Sequence, residues 1–279
     1  MHISLIQLFD CISGKSEYIC TNNPGELFGV PNCNTECLSC AEDTDSAIVA
    51  ALHSETGVNF SALPPEISRF YELSADAFDA IVHAWMSELP VIAEIIRFGQ
   101  KVFAAADAVV NIESAERSEL ESMQRQEAHR AATDRGDPDV RAVHEAAYKV
   151  WHEIHRLMGL LRFCPDEDSV YTAHCEPDHF ILPALGPHFK ERFGETPWAI
   201  IDEKRRLCMR CVPGETVTII GMDKNSIFAG TSSNGEWENL WRNYHKTINN
   251  PSRSNPDLQK QFMPKRYWKY LTEMEIRKP

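Results

Sequence analysis

Three groups of residues in this chain have types and spacings that can do chemistry. Glu176, Asp178 and His179 stand within one short stretch, with His188 and His155 as two further imidazoles that can converge on them. Carboxylates beside imidazoles bind a divalent ion or orient one another for acid–base work. The competing reading makes Asp178 a helix cap and leaves His179 and His188 holding backbone carbonyls. A second group lies at the C-terminus, where Arg253, Lys260, Lys265, Arg266 and Lys269 interleave with Phe262, Tyr267, Trp268 and Tyr270. Bases stack on aromatic rings while cations neutralise phosphates, the recipe for single-stranded or flipped nucleic acid. Arg162 and Arg192 would extend such a groove. The plainer alternative packs Phe262, Tyr267 and Tyr270 into the core and leaves the cations solvated. The third group is Cys33-x-x-x-Cys37-x-x-Cys40. That spacing presents three thiolates to a four-iron cluster and leaves one iron open. No βα repeat follows to build a barrel around it, so the readings are a structural zinc or iron–sulfur site, or unligated thiols. Cys208 and Cys211 would complete a zinc site, since zinc takes four tetrahedral N/S ligands; as strand residues they serve equally as small hydrophobes.

The bulk composition narrows the class of partner. At 279 residues with 43% hydrophobic and 25% charged residues, the chain reads as globular. No apolar run approaches the ~18 residues of a membrane span, and Met1–Phe9 lacks the basic start and cleavage site of an export signal. A cytoplasmic protein with no membrane partner is the expectation. The net charge of −13 is uneven: residues 1–135 hold 8 basic against 21 acidic residues, and residues 252–279 hold 7 against 3. Electrostatics therefore disfavour nucleic-acid binding by the whole chain and leave the C-terminal segment as a local footprint. An odd count of nine cysteines argues against a disulfide framework.

These groups need elements to position them. Met1–Phe9 is apolar enough for an opening strand or a short helix, and residues 21–45 read as an irregular loop. From Ser46 to about Arg130 the pattern is helical, with Ser74 capping one helix and Pro90 in the first turn of another. Glu113–Arg135 is either a solvated helix or a mobile arm. Asp137-Pro138 opens the clearest helix, 138–161, on the spacing of Val140, Val143, Ala147, Val150, Trp151, Ile154, Met158 and Leu161. The period then shortens. Residues 170–175, 198–202, 206–211 and 216–220 read as strands, with a helix at Leu182–Arg192. Glu236–Ile248 is amphipathic, with Trp237, Leu240, Trp241 and Tyr244 on one face, and short helices start at Pro256 and Pro264. The sum is an α+β chain: a mostly helical, acidic region over 1–135 with a Cys-rich loop at 20–45, then helices packed on a small antiparallel sheet over 136–279.

Residues 137–271 resemble the domain-of-unknown-function 4130 family. The resemblance rests on Gly136-Asp137-Pro138, His155-Arg156 with Gly159 and Leu161-Arg162-Phe163, Glu176-Pro177-Asp178-His179, Pro187-His188-Phe189, Arg192-Phe193, Trp198 with Asp202, Trp241, and the run from Asn255-Pro256 to Leu271. Phe180 departs from the pattern, where an Asn commonly follows the His, and so does Met158, where a Lys is common. The resemblance implies a protein of DNA metabolism or repair that works beside a radical-SAM partner, with no assigned reaction. The combined expectation is a nucleic-acid-binding accessory protein, on DNA or RNA. The alternatives are an enzyme in its own right, a hydrolase or base-processing activity with or without a metal, and a module that only docks the radical-SAM protein.

Overall fold

Capping side chains decide where the helices of this chain begin. The computed structural model describes residues 4–15, 44–54, 63–111, 117–166, 169–222 and 235–277. Its helices are α1 (Leu5–Ile12), α2 (Thr44–Leu52), α3 (Pro65–Leu73), α4 (Ala75–Met86), α5 (Ile92–Asp107), α6 (Arg117–Thr133), α7 (Pro138–Leu160), α8 (Leu182–Phe193), α9 (Gly235–Ile248) and α10 (Pro256–Phe262). Ser4 Oγ accepts from the Gln7 amide at 3.2 Å while Gln7 Oε1 accepts from the Ser4 amide at 3.0 Å. This capping box satisfies otherwise orphaned amides and makes the opening apolar run a helix rather than a strand. Ser74 caps α4 through the Ala77 amide. Asp137 Oδ1 accepts from the Asp139 and Val140 amides, and Pro138 fills the first position of α7, where no amide hydrogen is needed. Among the described residues no helix is long and apolar enough to cross a membrane.

The chain forms two compact units. Of the described residues, the first unit takes 4–15, 54, 63–111, 117–152 and 178–180, and the second takes 44–53, 153–166, 169–177, 181–222 and 235–277. In the first unit, Phe9 packs on Phe70 and Phe78 with ring centroids 5.4 and 5.5 Å apart, and Phe70 meets Phe103 at 5.1 Å. These rings tie α1, α3, α4 and α5 together. The charged stretch read as a helix or an arm is α6, which buries Ala128 and Ala132 and packs along α5. α5 begins two residues past Pro90, so that proline precedes the helix.

The second unit holds a five-stranded sheet in the order β1 (Cys164–Pro165), β2 (Tyr171–Cys175), β3 (Trp198–Asp202), β4 (Leu207–Cys211), β5 (Thr218–Gly221). The fold is α+β, as the periodicity indicates. The sheet is mixed rather than wholly antiparallel: β2 and β3 run parallel, with Tyr171 opposite Trp198 and Cys175 opposite Asp202. α8 is the reason, because a helix between two strands returns the chain to the same end of the sheet. α8 comes close to the face holding Met209, where a Cβ on Gly186 would sit 3.4 Å from the Met209 sulfur. The β3–β4 corner is closed by Asp202, whose Oδ2 takes Arg205 Nη1 at 2.7 Å and whose Oδ1 takes the Arg205 amide at 3.0 Å; both residues are buried.

Candidate functional site

Because β2 and β3 are parallel, the residues that leave their carboxyl ends emerge side by side, the place where open α/β sheets bind ligands. His174 lies on β2 and Glu176 just past its end, and Glu203 follows β3. Glu203 binds His174 Nδ1 through Oε1 at 3.0 Å and accepts from the Tyr270 hydroxyl through Oε2 at 2.7 Å. Lys269 pairs with Glu176 at 2.7 Å, and its ammonium lies 4.7 Å from the Tyr270 ring centroid. Burial first, and then the Glu203 carboxylate, hold the Tyr270 hydroxyl far above its ordinary pKa, so it stays protonated and donates to Glu203.

The same segment, a 3-10 helix over Lys265–Tyr270, is anchored a second time. Tyr267 is buried and donates to Glu153 Oε1 at 2.5 Å, and Glu153 is itself 1% exposed. Arg266 donates to the Tyr267 hydroxyl at 2.8 Å and covers its ring at 4.7 Å. The Trp268 indole donates to the Met263 carbonyl at 2.8 Å. Of the rings expected to stack on bases or fill the core, Tyr267 is therefore core, Trp268 and Tyr270 are half-buried, and Phe262 is exposed. Of the cations, Lys269 faces Glu176, Arg266 faces Glu153, and Lys260 pairs with Asp257 at 2.9 Å. Lys265 and Arg253 are exposed and meet no carboxylate among the described residues.

Elsewhere in the second unit, the end of α7 and the residues after it line a cleft of about 430 Å³. Phe163, Tyr171, Phe189 and Phe193 form one wall, with Phe163 5.0 Å from Phe189 and 4.8 Å from Phe193. Trp241 of α9 lines it as well. The two charged residues that line the cleft are Arg162 and Arg192, and they differ in kind. Arg162 is locked: Nη2 donates to Glu273 Oε1 at 2.6 Å, Nη1 donates to the Gly159 carbonyl at 2.8 Å, and the guanidinium lies 5.2 Å from the Trp241 ring. The Trp241 indole donates to the other oxygen of Glu273 at 2.9 Å. Although burial works against it, Arg162 and the other donors hold the Glu273 carboxyl below its ordinary pKa. Arg192, on the last turn of α8, is exposed and makes no ion pair among the described residues.

The remaining expected site residues are dispersed. Asp178 and His179 belong to the first unit, where His179 Nδ1 accepts from the Glu88 amide at 3.4 Å. Glu176, His188 and His155 belong to the second. His188 Nε2 is buried without a hydrogen-bond partner among the described residues, and desolvation, with Arg192 nearby, lowers its pKa and keeps it neutral. His155 is exposed on α7. Cys208 and Cys211 lie three apart on β4, so their thiols point to opposite faces of the sheet. Burial pushes Cys208 up to about 11 and raises Cys211 too, leaving both as protonated core residues. Cys33, Cys37 and Cys40 lie outside the described residues. Among the described residues no three His, Cys, Asp or Glu side chains gather as metal ligands.

Reading residues alone missed the carboxylates that anchor these groups. Glu153 carried a usable signal: it falls three after Val150 and four before Leu157, on the apolar stripe of α7, where a charge requires a buried partner. Glu203 and Glu273 carried none. In comparison with known proteins, residues 114–273 match the family model described as a domain of unknown function, DUF4130. No curated protein and no solved structure matches the chain.

Proposed function

The chain belongs to the DUF4130 family of domains of unknown function, and from that premise we propose that it is a nucleic-acid-binding accessory protein. The observation that carries this reading is the aromatic cleft of the second unit, whose charged lining residues, among those described, are arginines, with Arg192 making no ion pair among the described residues. A cavity of this size falls in the range of small-ligand sites, roughly 300–1,000 Å³. Aromatic walls beside a cation that makes no ion pair among the described residues suit a base attached to a phosphate. Lys265 and Arg253 add exposed positive charge to the same unit. Work beside a radical-SAM enzyme in DNA modification or repair belongs to this proposal, and rests on the resemblance carried by residues 137–271.

Fluorescence anisotropy with labelled DNA and RNA, at low and physiological salt, tests it. Affinity should fall steeply with salt, as counterion release requires. Arg192→Ala should weaken binding to every sequence and reduce the salt slope by about one. Absence of binding at low salt removes the reading.

One arrangement favours an enzyme as the second reading. Glu203 takes Nδ1 of His174 and so directs Nε2 to act as a base, the orientation that general acid–base catalysis uses. A folded His174→Gln variant with unchanged turnover on any substrate found would remove that imidazole from the chemistry.

A further inference from the structure

We infer that the nucleic acid this cleft accepts is an unpaired base, with Trp241 and Tyr244 as the stacking platform at its rim. The inference rests on the nucleic-acid reading above and names the form of ligand. Bases inside a duplex present only their edges in the grooves, and their flat faces are covered by neighbours. An aromatic wall such as Phe163 and Phe193, backed by the buried Phe189, has little to offer an edge. It offers contact to a flat face, which only an unstacked base brings.

The rim is built to hold its shape. Glu273 is 4% exposed, and one buried carboxylate takes both the Trp241 indole and the Arg162 guanidinium. A buried ion pair is often no more stabilising than apolar residues of the same volume; what it supplies here is fixed geometry. The geometry fixed is that of a tryptophan whose indole nitrogen points inward and whose ring lines the cleft. Tyr244 lies one turn along α9, its ring 5.7 Å from that of Trp241 and tilted by 37°. Trp241 is 37% exposed and Tyr244 54%, so both rings are open to a ligand. The charge at the cleft selects among occupants: among the described residues no carboxylate lines it, Arg162 is held by Glu273, and Arg192 is left to present positive charge, which suits a phosphate-bearing strand and disfavours a basic peptide.

Gly159 supplies a clean test. It lines the cleft, its φ is not positive, and a Cβ placed on it meets nothing within 4 Å. Gly159→Leu therefore adds bulk toward the cleft at a helical position that tolerates it, since glycine is a poor helix former. The chain is titrated into a labelled 12-nucleotide single strand of DNA, the same strand of RNA, and the blunt DNA duplex, at low and physiological salt. Single strands should bind at least about ten-fold tighter than duplex. Gly159→Leu and Tyr244→Ala should each remove most of that preference while the thermal midpoint holds, because one base–aromatic stack is worth roughly ten-fold or more. Duplex bound as tightly as single strand, or a Gly159→Leu variant that keeps wild-type affinity, overturns the unpaired-base inference and leaves the nucleic-acid reading standing. No binding of any probe at low salt overturns both, and a protein segment then becomes the better occupant.

Discussion

The two units place their charges differently. In the first, the main ion-pair network has one buried carboxylate, Asp139, held by Arg97 and Lys101, two cations that remain 49% and 39% exposed; Lys101 also holds Asp137. Apart from Asp139 and His83, the described charged and imidazole side chains of that unit stay out of an interior that is mainly aromatic and aliphatic. In the second, Glu153, Asp202, Arg205 and Glu273 are all buried, and each is bonded to a specific partner. Rim pairs contribute little to stability and are easily exchanged, whereas a buried charge must keep its partner. The first unit is thus held mainly by packing. The second pins individual rings and strand corners, Tyr267, Trp241 and the β3–β4 turn, in single orientations. Fixed orientation is what a binding site needs.

The largest effect that can break this contrast is at Asp202. Asp202→Ala leaves the Arg205 guanidinium, with a side chain only 6% exposed, without its carboxylate. Breaking a buried pair by removing one partner costs about 3–5 kcal/mol. Arg97→Ala in the first unit should cost less, about 1 kcal/mol, because Asp139, although buried, keeps Lys101 at 2.7 Å. Urea unfolding of both variants measures the difference. Equal losses would erase the distinction between the units.

Proton linkage sharpens the same contrast, with a smaller effect. A hydrogen bond from Arg97 holds Asp139 below the ordinary carboxylate value of 3.8, and one from Lys101 does the same for Asp137. Folded values that are depressed contribute stability present in full above 3.8 and lost as the pH falls beneath it. For Asp202 the sign reverses: burial outweighs Arg205 and raises its folded value above 3.8. The folded state then binds the extra proton, so this group's contribution improves as the pH falls toward 3.8. Thermal midpoints of wild type, Asp202→Asn and Lys101→Ala through an acid series separate the two windows. The Asp202→Asn difference should change above pH 3.8 and the Lys101→Ala difference below it. Both changing in one window would show that the charges are not distributed as described.

Much of the fold was legible in the residues. Asp137-Pro138 and the spacing from Val140 to Leu161 mark α7, and β2 and β3 match the runs chosen for them. Strand pairing was not legible in the same way. A period of two marks a strand but not its neighbour, and the helical run between β2 and β3 was the overlooked sign of a parallel pair. At the site, the basic–aromatic run to Leu271 was visible as composition. Its neutralisation was not, because Glu153, Glu176 and Glu203 reach it from far along the chain. Local spacing cannot report such partners. The cleft was invisible for the same reason: α7, α8 and α9 each contribute to its lining.

The smallest effect probes whether the pairs along that run are exchangeable. Lys269 and Glu176 lie 2.7 Å apart with side chains 49% and 43% exposed, unlike the buried Tyr267–Glu153 bond next to them. A pair so open to solvent adds about 0–1 kcal/mol to folding. It also neutralises a cation that a phosphate would otherwise meet. Glu176→Gln removes the competing charge and keeps the shape of the side chain, so thermal stability should barely change. If the run contacts nucleic acid, the freed ammonium adds one released counterion, and the slope of log affinity against log salt should steepen by about 0.9. Lys269→Ala made in the Glu176→Gln background should return that slope to the wild-type value. A Glu176→Gln variant that binds more weakly than wild type would mean that Glu176 orients Lys269 rather than masks it. The exposed pair would then belong with the buried carboxylates, as one more group that fixes the geometry of the second unit.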